Sequence, residues 1–370
     1  MNDPEPSRRT RLRAHRAASL SLARYGDRAL GELLASAAPL GSGIGGTSAL
    51  LDIDGTPVFV KRVALTDLER RPEHVRSTAN LFELPDFLHH GVGAIGGPGL
   101  GAWRELAVHV MTTNWVLTGE HEGFPLMHHW RVLPDALPLP GELADTERAA
   151  AYWGGGAPVR RRIEELQRSS ASVALFLEHL PRTLHQWLGA QVEAGDDGAV
   201  DRACALVEKE LESGISFMNA RGLLHFDAHF ENILTDGRRL YFADYGLALS
   251  SRFELSREER RFFDRHRVYD RCYAATYLVN WLVTALYGCR PEDRDGRLAL
   301  VRAYAEGKRP TGIPAKAAEL ITRYAPVAAV VSDFHRDFRE SGRSTPYPLE
   351  EIRRLCRGPG RSDRATDPGS

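Results

Sequence analysis

The segment LLHFDAHFENILTDGRRLYFADYGLALS, residues 223–250, constrains the chain more than any other stretch. Asp236-Gly237 is a two-residue turn signal; Ile233-Leu234 leads into it and Leu240 to Ala243 leads out, so the spacing predicts a tight hairpin. Polar groups stand at its two ends, Asp227 and Asn232 before the first strand and Asp244 after the second. A short rigid hairpin holds these three side chains within one small volume. The helix predicted before it, from about Asp201 to Ala220, has Ala203, Val207, Leu211, Ile215 and Met218 on one apolar face and stops at Gly222.

A second unit lies at 40–63, LGSGIGGTSALLDIDGTPVFVKRV, where apolar runs at 48–53 and 57–63 flank the turn pair Asp54-Gly55. Gly41, Gly43 and Gly46 fit G-x-G-x-x-G. They run into a strand and hairpin, whereas a dinucleotide-binding fingerprint passes from strand into helix. That favours a loop lying over phosphates. Lys61, one of only four lysines with Lys209, Lys308 and Lys316, shares a strand face with Phe59, while Val58 and Val60 face the other side. A lysine there can reach a phosphate and needs a carboxylate to hold it. Glu69, Glu83 and Glu105 are the candidates; Glu105 is preferred because Leu106, Val110, Thr113 and Leu117 recur at helical spacing around it. A further strand is predicted at 124–133, FPLMHHWRVL.

Segments 64–101 and 134–170, rich in Gly, Pro and Arg, read as insertions. Val173 to Leu177 form a buried-strand pattern, and Glu178-His179-Leu180-Pro181 then makes an extended linker whose backbone can hydrogen-bond a base edge. With 370 residues the chain is long enough for two lobes, and a net charge of -1 gives no bulk attraction to nucleic acid or membrane. Cys204, Cys272, Cys289 and Cys356 show no CxxC pair, which predicts a reduced, cytoplasmic protein without a structural metal. The N-terminus lacks the apolar core of a secretory signal, and residues 1–30 read as a flexible arginine-rich tail leading into a helix. The most apolar stretch, 272–289, is short for a membrane span and carries Thr276, Asn280 and Thr284, so a buried helix is expected. His89-His90 and His128-His129 lack a third ligand and are not expected to bind metal. The tail at 358–370 is disordered by composition.

Phosphoryl transfer from a nucleotide requires one carboxylate near the acceptor hydroxyl and an oxygen pair, here Asn232 and Asp244, to hold magnesium against the phosphates. At these residues the chain resembles the protein-kinase-like superfamily: His225-Phe226-Asp227 with Asn232 is similar to its H-R-D-x-x-x-x-N loop, and Asp244-Tyr245-Gly246 to its D-F-G. Gly41, Gly43, Gly46 and Lys61 precede them in the same order. The resemblance implies an α+β fold of two lobes: a small antiparallel β lobe with one helix at 31–180, binding ATP, and a larger, mainly helical catalytic lobe at 181–357. It further implies Asp227 as base, Asn232 and Asp244 as magnesium ligands, Lys61 on the α/β-phosphates, Glu105 orienting Lys61, and adenine near Glu178 to Leu180. Asp264 or Asp270 would brace the catalytic loop, with capping of a helix as the equal alternative.

Departures bear on the acceptor. Phe226 replaces an arginine that in many protein kinases meets a phosphorylated loop, and His229 gives a D-x-H-x-x-N pattern similar to the aminoglycoside phosphotransferase and choline kinase branch. No A-P-E follows Asp244; residues 250–271 instead read as a charged helical segment. The expected activity is therefore ATP- and magnesium-dependent phosphorylation of a small-molecule hydroxyl. Asp244-Tyr245-Gly246-Leu247-Ala248 keeps a serine/threonine protein kinase as the alternative, and a partner-binding pseudokinase is the third. The acceptor and the oligomeric state are not legible.

Overall fold

Burial on both faces of the central strands explains why their sequence is almost continuously apolar. The structure, a computed structural model, describes residues 8–43, 46–93, 95–154, 156–290 and 292–357. Helices α1 (Arg8–Arg24) and α2 (Asp27–Ala35) come first, followed by the antiparallel strands β1 (Ala38–Gly43), β2 (Gly46–Ile53) and β3 (Thr56–Leu65). The β2/β3 turn is Asp54-Gly55, both at positive φ, as a two-residue hairpin turn demands. Next come α3 (Asp67–Arg70), α4 (Ala102–Thr118), β4 (Met127–Leu133), α5 (Thr146–Trp153), α6 (Gly156–Gln167) and β5 (Ala171–Glu178). The five strands form one antiparallel sheet in the order β1-β2-β3-β5-β4.

One sheet face packs Val58, Val60, Ala174 and Phe176 against Ala18 and Leu22 of α1 and Leu30 and Leu34 of α2. The opposite face packs Val173, Leu175 and Leu177 against Trp103 and Leu106 of α4. The expectation of one helix on the sheet therefore holds for one face only. The arginine-rich start is likewise corrected from residue 8 onward, since α1 is packed helix rather than flexible tail. Arg11, Ala18 and Leu22 share its buried face. Arg11 tolerates burial because its guanidinium donates to both Glu178 carboxylate oxygens (2.8 and 2.7 Å) and to the carbonyls of Glu122 (3.0 Å) and Phe124 (2.8 Å).

The rest of the chain is mostly helical. It runs through α7 (Leu184–Glu193), α8 (Asp197–Ala220), β6 (Leu223–Leu224), β7 (Ile233–Thr235), β8 (Leu240–Phe242) and β9 (Leu249–Ser250). Helices α9 (Arg257–Arg265), α10 (Tyr269–Tyr287), α11 (Arg294–Ala305), α12 (Ala315–Glu340) and α13 (Leu349–Arg357) complete it. Val207, Leu211 and Ile215 of α8, Leu278 and Leu282 of α10, and Leu320 and Ile321 of α12 share one core. Each such side chain contributes about 1.5–3 kcal/mol by leaving water. Helix α10 is the expected buried helix, and among the described residues no helix is long and apolar enough to cross a membrane.

The two inserted segments fold on each other. Phe82, Leu84 and Leu88 meet Ala149, Trp153 and Ile163, together with Phe334 and Phe338 of α12, in a separate apolar cluster. A buried ion pair, Glu69 of α3 to Arg162 of α6 at 2.8 Å, ties their ends. Among the described residues Cys204 and Cys289 are free thiols, and no group of three His, Cys, Asp or Glu is placed to hold a metal. Both histidines of the pair His89-His90 are buried, His90 among the rings of Phe226, Tyr269, Phe334 and Phe338. The tail at 358–370 and residues 1–7 lie outside the described residues.

Candidate active site

The hairpin of residues 223–250 forms as β7 and β8, with Ile233 opposite Phe242. Two non-glycine residues at its ends adopt left-handed backbone, Phe226 (φ 63) and Asp244 (φ 61). Such conformations cost on the order of 1–3 kcal/mol each and persist where surrounding contacts over-determine them. Asp270, at the start of α10, supplies those contacts for the loop before the hairpin, because its carboxylate accepts from His225 N at 2.7 Å and Phe226 N at 2.8 Å. Of the two bracing candidates, then, Asp270 reaches the loop, and Asp264 pairs with Arg267 at the surface. Burial pushes the Asp270 carboxyl up to about 6 even against these two hydrogen bonds. The Phe226 ring packs on Phe262 and Tyr269, so apolar contact holds this position.

His225 joins the two arms of the site. Its Nε2 donates to Ala243 O at 3.0 Å and its Nδ1 accepts from Asp227 N at 3.3 Å, one consistent neutral tautomer. Burial lowers its pKa to about 4, against the pull of Asp244. The Asn232 amide nitrogen donates to Asp227 Oδ2 at 3.0 Å and Asp227 O at 3.1 Å, which leaves the amide oxygen to act as an acceptor or ligand. His229 Nε2 lies 3.7 Å from Asp227 Oδ1. Burial raises the Asp227 pKa, opposed by His229 and reinforced by the Asp244 charge.

Lys61 brings the sheet to this site. Its Nζ lies 2.7 Å from Glu105 Oε1 on α4 and 2.8 Å from Asp244 Oδ1. The other two candidates go elsewhere: Glu69 to Arg162, and Glu83 to the exposed surface. Burial opposes the charge on Lys61, but the two carboxylates outweigh it and raise its pKa. Burial likewise pushes Asp244 upward, and the Lys61 ammonium overrides it to hold the carboxyl at about 2. Buried Glu105 is raised by desolvation despite the lysine. Helix α4 is fixed beside this pair by a second buried ion pair, Arg104 to Glu259 of α9 at 2.6 Å.

A cavity of about 630 Å³ opens above Lys61, between the sheet and the helices, lined by Gly41, Gly46, Phe59, Leu177 to Pro181, Asn232 and Asp244. Gly43 pairs with Gly46 across the β1/β2 register, and residues 44–45 lie outside the described residues. Gly46 is required by its φ of +115 and by crowding, since a Cβ there would sit 1.9 Å from Arg62 O. Glu178 lines the cavity, but its carboxylate is committed to Arg11 and to Leu126 N at 3.1 Å. The segment through Leu180 therefore offers backbone to a ligand more than it offers this side chain.

Beyond Asp227 lies a second cavity of about 790 Å³, lined by Gly91, Gly93, His229, Tyr273 and one face each of α11 and α12. Sequence patterns gave no hint of it. Gly91, at φ +63, passes so close that a Cβ would lie 2.5 Å from Leu247 Cδ1 and 3.8 Å from Asp227 Oδ1. The preceding turn is pinned by a hydrogen bond between His89 Nδ1 and Leu247 O at 2.8 Å. His109 was also missed, although it falls one helical turn after Glu105. It is buried against the Tyr245 ring, and burial together with Lys61 lowers its pKa to about 3.

No model of a known protein family matches the chain, and no curated protein matches it.

Proposed function

We propose that the chain is a phosphotransferase of the protein-kinase-like kind, two-lobed, which moves the γ-phosphate of ATP to a hydroxyl of a small molecule. The observation that carries this reading is the charge relay Glu105–Lys61–Asp244, which joins a helix, a strand and the hairpin beside Asp227 and Asn232. A lysine held by two carboxylates is oriented for phosphate oxygens, and the glycine-bearing β1/β2 edge lies over the same cavity. The donor set fits magnesium. Asn232 and Asp244 supply two oxygens, too few for a resident ion but suited to Mg²⁺ that arrives with nucleotide phosphates. When bound, the ion neutralises charge on those phosphates.

In this reading Lys61 binds the α/β-phosphates and Glu105 orients it, while the backbone from Glu178 to Leu180 and the apolar groups Phe59 and Leu177 enclose the base. Asp227 receives or orients the acceptor proton. Its raised pKa makes it a better base than an ordinary aspartate. His225 keeps its loop in register with Asp244, and His229 lies near its second carboxylate oxygen. A small acceptor is favoured because the space beyond Asp227 is walled by the Gly91–Gly93 turn and by α11 and α12.

The test follows label from γ-labelled ATP, with magnesium, into the small-metabolite and macromolecular fractions of a cell extract, with Asp227→Asn as control. Label in a small compound, absent with the variant, is the expected result. Label in polypeptide would replace this reading with a protein kinase, and nucleotide binding without any transfer would replace it with a pseudokinase.

A further inference from the structure

One end of the cavity above Lys61 is lined by Glu178, His179, Leu180 and Pro181. Glu178 is the last residue of β5, opposite Val58, and Thr183 next returns to regular pairing, against Leu234 of β7. Residues 179–182 therefore hang between two anchors. One is the end of the sheet, and the other is the hairpin whose ends carry Asn232 and Asp244.

At the sheet anchor Glu178 N donates to Leu126 O at 2.7 Å, and Leu126 N donates back to the Glu178 carboxylate at 3.1 Å. Arg11 of α1 completes this anchor. Its guanidinium holds both carboxylate oxygens and, through the carbonyls of Glu122 and Phe124, the loop that leads into β4. It also lies 4.9 Å from the ring centroid of Tyr241 on β8, and Tyr241 donates to Asp236 in the hairpin turn at 2.8 Å. Glu122 of the same loop pairs with Arg239 of the hairpin. One guanidinium from the first helix thus joins sheet, loop and hairpin, although Arg11 is not among the residues that line the cavity.

The Arg11 side chain is only 2% exposed. Burial opposes its charge, and Glu178 outweighs that penalty. A buried ion pair adds little net stability over apolar side chains of similar size. What this one adds is geometry, because the fixed donors of a planar fork define where their acceptors lie.

Resting on the phosphotransferase reading, we propose that Arg11 is a positioning residue of the nucleotide site, acting through Glu178. It sets the sheet anchor of residues 179–182 against the hairpin, and so the base end of the cavity against Asn232 and Asp244. A base segment that is already held in place does not have to be ordered on binding, which removes that cost from the affinity.

The test compares Arg11→Met, the double variant Arg11→Met/Glu178→Gln, and the control Arg131→Gln, which breaks the Asp27 pair tying α2 to β4. In the double variant the glutamine keeps an acceptor for Leu126 N and no buried charge is stranded, so its unfolding in urea should lie close to that of the parent. Calorimetry on the full-length chain follows adenosine, magnesium tripolyphosphate and a non-hydrolysable ATP analogue with magnesium. Adenosine and the analogue are expected to bind about tenfold to a hundredfold more weakly in both Arg11 variants, with tripolyphosphate unchanged and Arg131→Gln like the parent. Hydrogen exchange without ligand should speed up at His179 and Leu180 in the same two variants. Adenosine affinity at the parent's level in the double variant overturns the proposal. So does an equal loss of adenosine and tripolyphosphate, the mark of a merely structural role. Failure of the nucleotide reading looks different: the parent itself binds neither adenosine nor the analogue, while exchange at His179 and Leu180 still reports whether Arg11 holds the segment. Unchanged exchange there in the double variant overturns the proposal whatever the nucleotide result.

Discussion

On the sheet side of Asp227 each charge sits against an opposite one: Lys61 lies between Glu105 and Asp244, Arg104 against Glu259, and Arg11 against Glu178. On the helical side charges of both signs line one cavity, Arg294, Arg297, Arg336 and Arg339 with Glu292, Asp293, Asp295 and Glu340. The first region is held by charges that hold each other, and the second by a helical scaffold that presents charge outward. Substitutions in the first should therefore cost stability and reaction together, whereas those in the second should cost recognition alone.

The largest effect belongs to the point where the regions meet. Asp227→Asn is expected to lower turnover about a hundredfold to ten-thousandfold while leaving nucleotide binding intact. Steady-state transfer and analogue titration check both halves, and surviving turnover would remove Asp227 as the junction. Next is Lys61→Met, which strands buried Glu105 and should cost about 3–5 kcal/mol in denaturant unfolding. Adding Glu105→Leu should restore much of that stability without restoring analogue binding; a double variant as unstable as the single would break the contrast.

A smaller effect is expected on the acceptor side. Gly91→Ala meets both a left-handed φ and the Leu247 side chain, so it should cost about 1–2 kcal/mol and raise KM for the acceptor with KM for ATP unchanged. An equal rise in both would place the turn in the nucleotide site instead.

The smallest effect is a pH dependence of opposite sign at two carboxylates. Asp244, held at about 2, lends stability above the ordinary aspartate value of 3.8, and that stability is lost as pH falls through 2. Asp270, raised to about 6, binds its proton more readily folded than unfolded, so its contribution falls as pH rises from 3.8 to 6. Urea unfolding between pH 4 and 6 should thus show a downward contribution in the parent that is missing in Asp270→Asn. Parallel profiles would remove that role for Asp270.

Legibility in the sequence followed contiguity. Asp227, Asn232 and Asp244 flank one hairpin, so turn chemistry alone brought them together, and Glu105 emerged from three candidates by helical spacing. The arginine-rich start was misread because charge composition suggests solvation. Arg11 is buried only because Glu178, 167 positions away, meets it. The spacing of Arg11, Ala18 and Leu22 on one face of α1 was the available signal. Nothing local in the sequence marked the burial of both His89 and His90, which a single 3-10 turn inside an aromatic cluster brings about.

The sequence by itself determined the hairpins, the buried helix α10 and the set of polar groups gathered at the hairpin ends, because turn residues, apolar periodicity and short motifs act over a few positions. Only the tertiary structure decided which carboxylate holds Lys61, that α1 clamps the end of β5, and that the Gly91 turn, α11 and α12 line one cavity with Asp227. Those contacts join segments far apart along the chain. They depend on how whole helices pack, which no local pattern encodes.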